Sequence, residues 1–197
     1  MKEFHAVTAG TAVLDRADVD TDQIVPKQFL KRIERTGYGE FVFFDWMKDP
    51  DFELRRPEYE GARILITGRN FGCGSSREHA AWALQDYGFD AVVAPSFGDI
   101  FRTNSLKIGL LPIALPAEDV RSLMDACRGG AALTVDLDAQ QITAPDGHTI
   151  AFEIDPFARE CILAGLDDIG LTLQREDAIS AYEASHPARV QTTALPV

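Results

Sequence analysis

The chain lacks what several common functions require. It has three cysteines, Cys73, Cys127 and Cys161, far apart and odd in number. That argues against a disulfide framework, and no pair has the close spacing typical of zinc or iron–sulfur ligation. Its four histidines, His5, His79, His148 and His186, form no ligand motif. The chain is therefore expected to bind no metal by itself. No apolar run approaches the roughly 20 residues of a membrane span. The first twenty residues, MKEFHAVTAGTAVLDRADVD, scatter charge and hold no apolar segment of the signal-peptide kind, so a cytoplasmic location is expected. No basic cluster stands out against a formal net charge of −12, which argues against nucleic acid as a partner. An anionic small molecule would need a local group of Arg and Lys to override that field.

What is present reads as globular. The chain has 197 residues, 46% apolar and 25% charged, enough for one domain with a real core. FHAVTAGTAVL (4–14) reads as two short strands around a Gly turn. DRADVDTDQIVP (15–26) is turn and cap chemistry, with Asp18 and Asp20 as turn residues rather than ligands. The segment from 27 to 46 is a short helical piece and then an aromatic cluster; residues 47–61 are polar loop.

The middle of the chain is more regular. Residues 64–67 form a buried-type strand and 77–87 a helix closed by Gly88. Residues 90–98 are strand then loop, 99–108 a helical turn or two closed by Gly109, and 110–116 a strand. The next stretch, AEDVRSLMDACRGG, is an amphipathic helix with Val120, Leu123, Met124 and Cys127 on one stripe. Alternation of this kind implies a parallel sheet with crossovers. The last third departs from that alternation. It reads as a hairpin around PDG (145–147), one helix over 155–173 with Pro156 in its first turn, a last helix over 175–185, and a tail from His186 expected to fray.

GRNFGCGSSREHAAWAL (68–84) joins a strand to a helix and is the most unusual stretch. Free N–H groups at a helix start attract anions, and Gly72 and Gly74 let backbone approach a ligand. Nucleotide motifs fail here: Cys73 stands where a P-loop needs Gly, and Arg77 where the dinucleotide fingerprint needs its third Gly. Ser75-x-x-Glu78 has the form of a capping box, and either Ser75 or Ser76 could cap the helix. Cys73 could be an activated thiol with His79 nearby, or an inert small hydrophobe. Arg77 is harder to explain structurally. A cation at a helix start opposes the dipole, so it suggests bidentate contact with a carboxylate or phosphate. Arg102 and Lys107 are expected on the surface.

Four stretches in order, DVDTDQIVPKQFLK, FGCGSSREHAAWAL, GDIFRTNSLKIGLLPI and DPFARECILAGLDDIGLTL, resemble the small subunits of bacterial 3-isopropylmalate dehydratase. The resemblance runs from about residue 2 to residue 182. The family commonly has Pro where Ala81 stands, inside a helix. The resemblance implies an α/β fold, a β/β/α swivelling domain similar to domain 4 of aconitase, with a C-terminal α+β hairpin-and-helix extension. It implies one swivelling domain over 1–185 and a flexible tail over 186–197. It implies reversible conversion of 2-isopropylmalate to 3-isopropylmalate by dehydration and rehydration, in leucine biosynthesis. The partner it implies is a large iron–sulfur subunit that holds a [4Fe–4S] cluster, with this chain binding no cofactor. Among site residues it implies Ser75 as the base and Asp22 as a supporting catalytic aspartate. Ser76 and Arg77 would contact a substrate carboxylate, and Lys31 and Arg32 fall in the segment that faces substrate and sets specificity.

Within that chemistry a homoaconitase or a citraconate- or methylmalate-type hydratase would differ only in the substrate's side group. Outside it stand a Cys73/His79 thiol hydrolase and a non-catalytic dicarboxylate-binding regulator.

Overall fold

The structure, a computed structural model, describes residues 1–32 and 34–186. The expected tail, from 187 on, lies outside the described residues; His186 caps the last helix. Seven strands form one mixed sheet in the order β4-β3-β2-β1-β5-β6-β7. They are β1 (Ala6–Leu14), β2 (Ile64–Thr67), β3 (Ala91–Ala94), β4 (Leu111–Ala114), β5 (Ala132–Asp136), β6 (Gln141–Thr143) and β7 (Thr149–Ala151). β1 to β4 run parallel; β5, β6 and β7 are antiparallel to their neighbours. The helices are α1 (Thr21–Ile24), α2 (Glu78–Tyr87), α3 (Asp99–Ile108), α4 (Ala117–Cys127), α5 (Pro156–Leu163), α6 (Asp168–Leu173) and α7 (Glu176–Ser185).

The sequence explains the central strands directly. β2 is ILIT and β3 is AVVA, buried at every position, as parallel strands covered on both faces must be. α4 packs across β1, β2 and β3 through Val120, Leu123, Met124 and Cys127, all buried. Burial of each of the larger three contributes about 1.5–3 kcal/mol before packing losses. Glu118 and Asp119 sit in its first turn, where the helix dipole favours negative charge.

Three expectations are corrected. Residues 6–14 form one strand through Gly10, not two around a turn. Up to Gly10, β1 pairs antiparallel with β5, and from Thr11 it pairs parallel with β2. The glycine therefore marks an exchange of partners within an unbroken strand. The stretch 99–108 makes ten residues of helix rather than a turn or two, ended by Gly109 in the left-handed region. The helix expected over 155–173 is two helices. Gly165 has φ +65° and breaks the run, and each piece has its own aspartate cap: Asp155 accepts from Ala158 N–H and Asp167 from Gly170 N–H. The hairpin around 145–147 is present, and its strands extend the same sheet beyond β5. Among the described residues of 27–61 the regular elements are short 3₁₀ turns.

Candidate functional site

The segments following β1, β2 and β3 meet at the carboxyl ends of those strands, where ligands bind in open parallel sheets. They are laced by backbone hydrogen bonds that prolong the β1–β2 ladder irregularly. Gly68 N–H donates to Arg16 O at 3.1 Å, Asp18 N–H to Arg69 O at 2.9 Å, Gly72 N–H to Val19 O at 2.7 Å and Thr21 N–H to Cys73 O at 2.9 Å. The third segment joins through Phe71 N–H to Ser96 O at 3.1 Å and Gly98 N–H to Phe71 O at 2.9 Å. Asp18 supports the lacing with a left-handed φ of 56° and accepts from both Arg69 and Asn70. Asp20 caps α1 in a full capping box with Gln23. Both are structural, as the sequence suggested.

Gly72 is required by space. Its φ is +72°, and a Cβ there would lie 2.2 Å from Phe101 Cγ. Gly74 is required by conformation, with φ +92° and room beside it. The pair turns the chain so that Ser75 and Ser76 emerge exposed ahead of α2.

Neither serine caps that helix. Its N-cap residue is Arg77, in extended conformation (φ −104°, ψ 115°), and no side chain caps it. The Ser75-x-x-Glu78 capping box is thus corrected. Ser75 is committed through its backbone carbonyl, which accepts from Thr21 Oγ1 at 3.1 Å and Arg77 N–H at 2.8 Å. The first-turn N–H groups of a ten-residue helix are left without a side-chain partner and carry partial positive charge.

Arg77 directs its Nη1 onto Asp22 Oδ1 in a short, charge-assisted contact. The Arg77 guanidinium holds the Asp22 carboxyl below the usual carboxylate range. Burial opposes that effect, and Lys27 adds to it. The pair's contribution to stability is therefore present above about pH 4 and is lost as pH falls through the depressed value. A guanidinium has five N–H donors, so the ones not facing Asp22 remain for another anion. A shallow depression of about 380 Å³ opens here, lined by Leu30, Ser76, Arg77, Glu78, His79, Ile100 and Asn104. Leu30, Ile100 and Asn104 were not anticipated from the sequence: α3 reaches this corner only through the fold, and no local motif announces it. A neighbouring depression of about 420 Å³ shares Glu78 and Asn104, but its Lys107 faces Asp168 at 3.8 Å.

Lys31 and Arg32 are not brought to the corner. Arg32 donates to Glu40 at 3.1 Å, lies 3.7 Å from Glu34 and rests over the Tyr38 and Phe41 rings. Lys31 is exposed at the end of a 3₁₀ turn.

The thiol reading loses its chemistry. Burial raises the Cys73 thiol, and Asp20 and Asp18 raise it further, the reverse of an activated nucleophile. His79 packs against Tyr38 and Trp82, with ring centroids 5.2 Å and 4.7 Å away, and burial pushes its imidazole below the ordinary value. Among the described residues no group of three His, Cys, Asp or Glu could hold a metal ion. No helix among them is long and apolar enough to cross a membrane.

Comparison with known proteins bears on the same residues. Residues 1–118 match the family model described as the aconitase C-terminal domain. Residues 121–156 match one described as LeuD_N, and 168–189 match the C-terminal domain of the 3-isopropylmalate dehydratase small subunit. The 3-isopropylmalate dehydratase small subunit of Bacillus licheniformis is 56% identical over 187 residues, 91% of this chain and 94% of that one. That of Acidobacterium capsulatum is 52% identical over 191 residues, covering 96% and 93%. The chain belongs to the 3-isopropylmalate dehydratase small-subunit family. A solved 3-isopropylmalate dehydratase from Methanocaldococcus jannaschii superposes with a TM-score of 0.68 at 28% identity, covering 90% of this chain and 99% of that one. The sheet and the laced corner of this small-subunit family member are therefore an aconitase-like α/β fold.

Proposed function

We propose that this chain is the small subunit of a 3-isopropylmalate dehydratase. In this reading it interconverts 2-isopropylmalate and 3-isopropylmalate in leucine biosynthesis, jointly with a large subunit and in the cytoplasm. One observation carries the assignment of roles: an Arg77 guanidinium oriented by Asp22, beside two exposed serines at an uncapped helix start. That corner suits a carboxylate whose neighbouring carbon must lose a proton. Arg77 and Ser76 hold the carboxylate, and Asp22 keeps the guanidinium in place. Ser75, as its alkoxide, takes the proton from the adjoining carbon and becomes a neutral hydroxyl. The electron pair left on carbon forms the double bond as the C–O bond of the next carbon breaks; the departing hydroxide and the proton taken up by Ser75 together account for the water lost. Addition of water in the opposite sense gives the isomer. The start of α2 and Arg77 both stabilise the negative charge that Ser75 carries before it takes the proton.

In this reading the [4Fe–4S] cluster belongs to the large subunit. Residues 1–185 act as one swivelling unit against that partner, in a heterodimer or a larger assembly. Lys31 and Arg32 contribute to recognition after Arg32 leaves Glu40. That exposed pair is worth about 0–1 kcal/mol and is readily exchanged for a dicarboxylate.

The test is reconstitution. The purified chain is expected to contain no iron and to leave 2-isopropylmalate unchanged. Turnover should appear on adding the large iron–sulfur subunit, and 2-isopropylmalate should be used in preference to methylmalate-type or homologous diacids. Turnover by the chain alone would overturn the division of labour. Preference for another diacid would reassign the substrate within the same chemistry. Dicarboxylate binding without partner-dependent turnover would make the chain a regulator.

A further inference from the structure

Thr21 is a polar residue only 1% exposed, and both of its donors are spent on the loop that carries Ser75. Its N–H donates to Cys73 O at 2.9 Å, and its Oγ1 donates to Ser75 O at 3.1 Å. Between those two carbonyls lies Gly74, at φ +92°, in a conformation that glycine enters and leaves more freely than any other residue. A Cβ placed on Gly74 would lie 3.5 Å from Asp20 Cβ and 3.8 Å from Thr21 Oγ1, so the start of α1 rests against this point.

We propose that Thr21 is a positioning residue for Ser75: by gripping the chain on both sides of Gly74 it fixes the direction in which the Ser75 hydroxyl leaves the backbone. The inference rests on Ser75 being the base. The Cys73 carbonyl belongs to the peptide before Gly74, and the Ser75 carbonyl to the peptide after Ser75. With both held, rotation at Gly74 can no longer swing Ser75. Thr21 is itself well anchored. Asp20 accepts from Gln23 N–H at 2.8 Å while Asp20 N–H donates to the Gln23 side chain at 2.8 Å, and Ile24 is fully buried. The next residue, Asp22, holds Arg77. One four-residue helix thus sets both the base and the carboxylate grip, from adjacent positions.

The test uses the full chain assembled with the large subunit and 2-isopropylmalate as substrate. Thr21→Val keeps the shape and removes the hydroxyl. Ser75 O retains Arg77 N–H at 2.8 Å, so no carbonyl is orphaned. kcat per assembled complex is expected to fall by about tenfold or more, since small misplacements of a reacting group are costly. KM should stay within about twofold, because the Asp22–Arg77 grip is intact. Thr21→Ser, which restores the hydroxyl, should return kcat to within about twofold of the native value. In a Ser75→Ala background, Thr21→Val should cost nothing further, because a residue acting through Ser75 has nothing left to position.

A native kcat in Thr21→Val beside a disabled Ser75→Ala overturns the positioning role and leaves the base assignment standing. Losses that add in the double variant overturn it as well, since Thr21 would then act on the fold or on another group. Near-native kcat in Ser75→Ala removes the base assignment and the inference with it. If Thr21→Val does not assemble, Thr21→Ala takes its place, and failure of both makes Thr21 purely structural.

Discussion

The two halves of the sheet share β1 and little else. On one side β1 to β4 run parallel, and the segments leaving β1, β2 and β3 at their carboxyl ends supply Asp22, Ser75, Ser76, Arg77 and the wall of α3. On the other side β5, β6 and β7 form an antiparallel meander whose turns bring no residue to that corner. Parallel strands need long crossovers, and their ends on one edge of the sheet point the same way, so their loops converge. Antiparallel strands joined by tight turns send successive loops to opposite edges. The chemistry we propose therefore falls in the parallel half, and the meander pairs with the amino-terminal half of β1.

If that contrast is right, changes in the parallel half should alter turnover and those in the meander should alter at most stability. The largest effect is expected for Ser75→Ala. kcat of the assembled enzyme should fall about 10²–10⁴-fold, the usual value of a general base, with KM little changed. Because Ser75 caps no helix, its melting temperature should be unchanged, and a drop equivalent to a lost cap would contradict the structure. Next comes Gly72→Ala. Its Cβ would meet Phe101 at 2.2 Å, and overpacking of this kind costs about 1–3 kcal/mol; denaturation should show the loss, with activity reduced as the corner shifts.

Arg77→Lys should be milder in kcat and clearer in KM. It keeps the charge but loses the planar fork, and a rise in KM of about tenfold is expected, equal to about 1.4 kcal/mol. An unchanged KM would take Arg77 out of substrate binding. The smallest effect belongs to Gly147→Ala, in the turn between β6 and β7. Nothing lies within 4 Å of the added Cβ, but φ is +87°, so a loss of about 1 kcal/mol in stability is expected with kcat and KM unaffected. A kinetic defect there would break the division between the halves.

How much of this was legible depended on whether the signal was local. The α4 stripe of Val120, Leu123, Met124 and Cys127 could be read because a 3.6-residue period is written in adjacent turns. Arg77 could be singled out because its charge opposes its place at a helix start. Gly10 was misread because a glycine within a strand looks the same whether the chain turns or only changes partner. The capping box failed because a four-residue pattern carries no information about the extended backbone of Arg77, or about the carbonyl of Ser75 being taken by a residue 54 positions earlier. Thr21 left no trace in the sequence for the same reason. Resemblance puts Arg32 near the substrate, whereas in this chain its partners are Glu40, the Gly37 carbonyl and Glu34.

The partner exchange at Gly10 also has a meaning in time. Every backbone contact that laces the corner closes between residues 16 and 98, whereas the amino-terminal half of β1 waits for residues 132–136, Ala6 meeting Asp136. Closing that span has a greater entropic cost and slows the contacts that depend on it. As the chain leaves the ribosome, the laced corner has all those backbone contacts available well before β5 exists. Capture of the amino-terminal half of β1 by β5 is then expected to follow, docking the other half of a strand whose carboxyl half is already paired, with the corner laced before the sheet is complete.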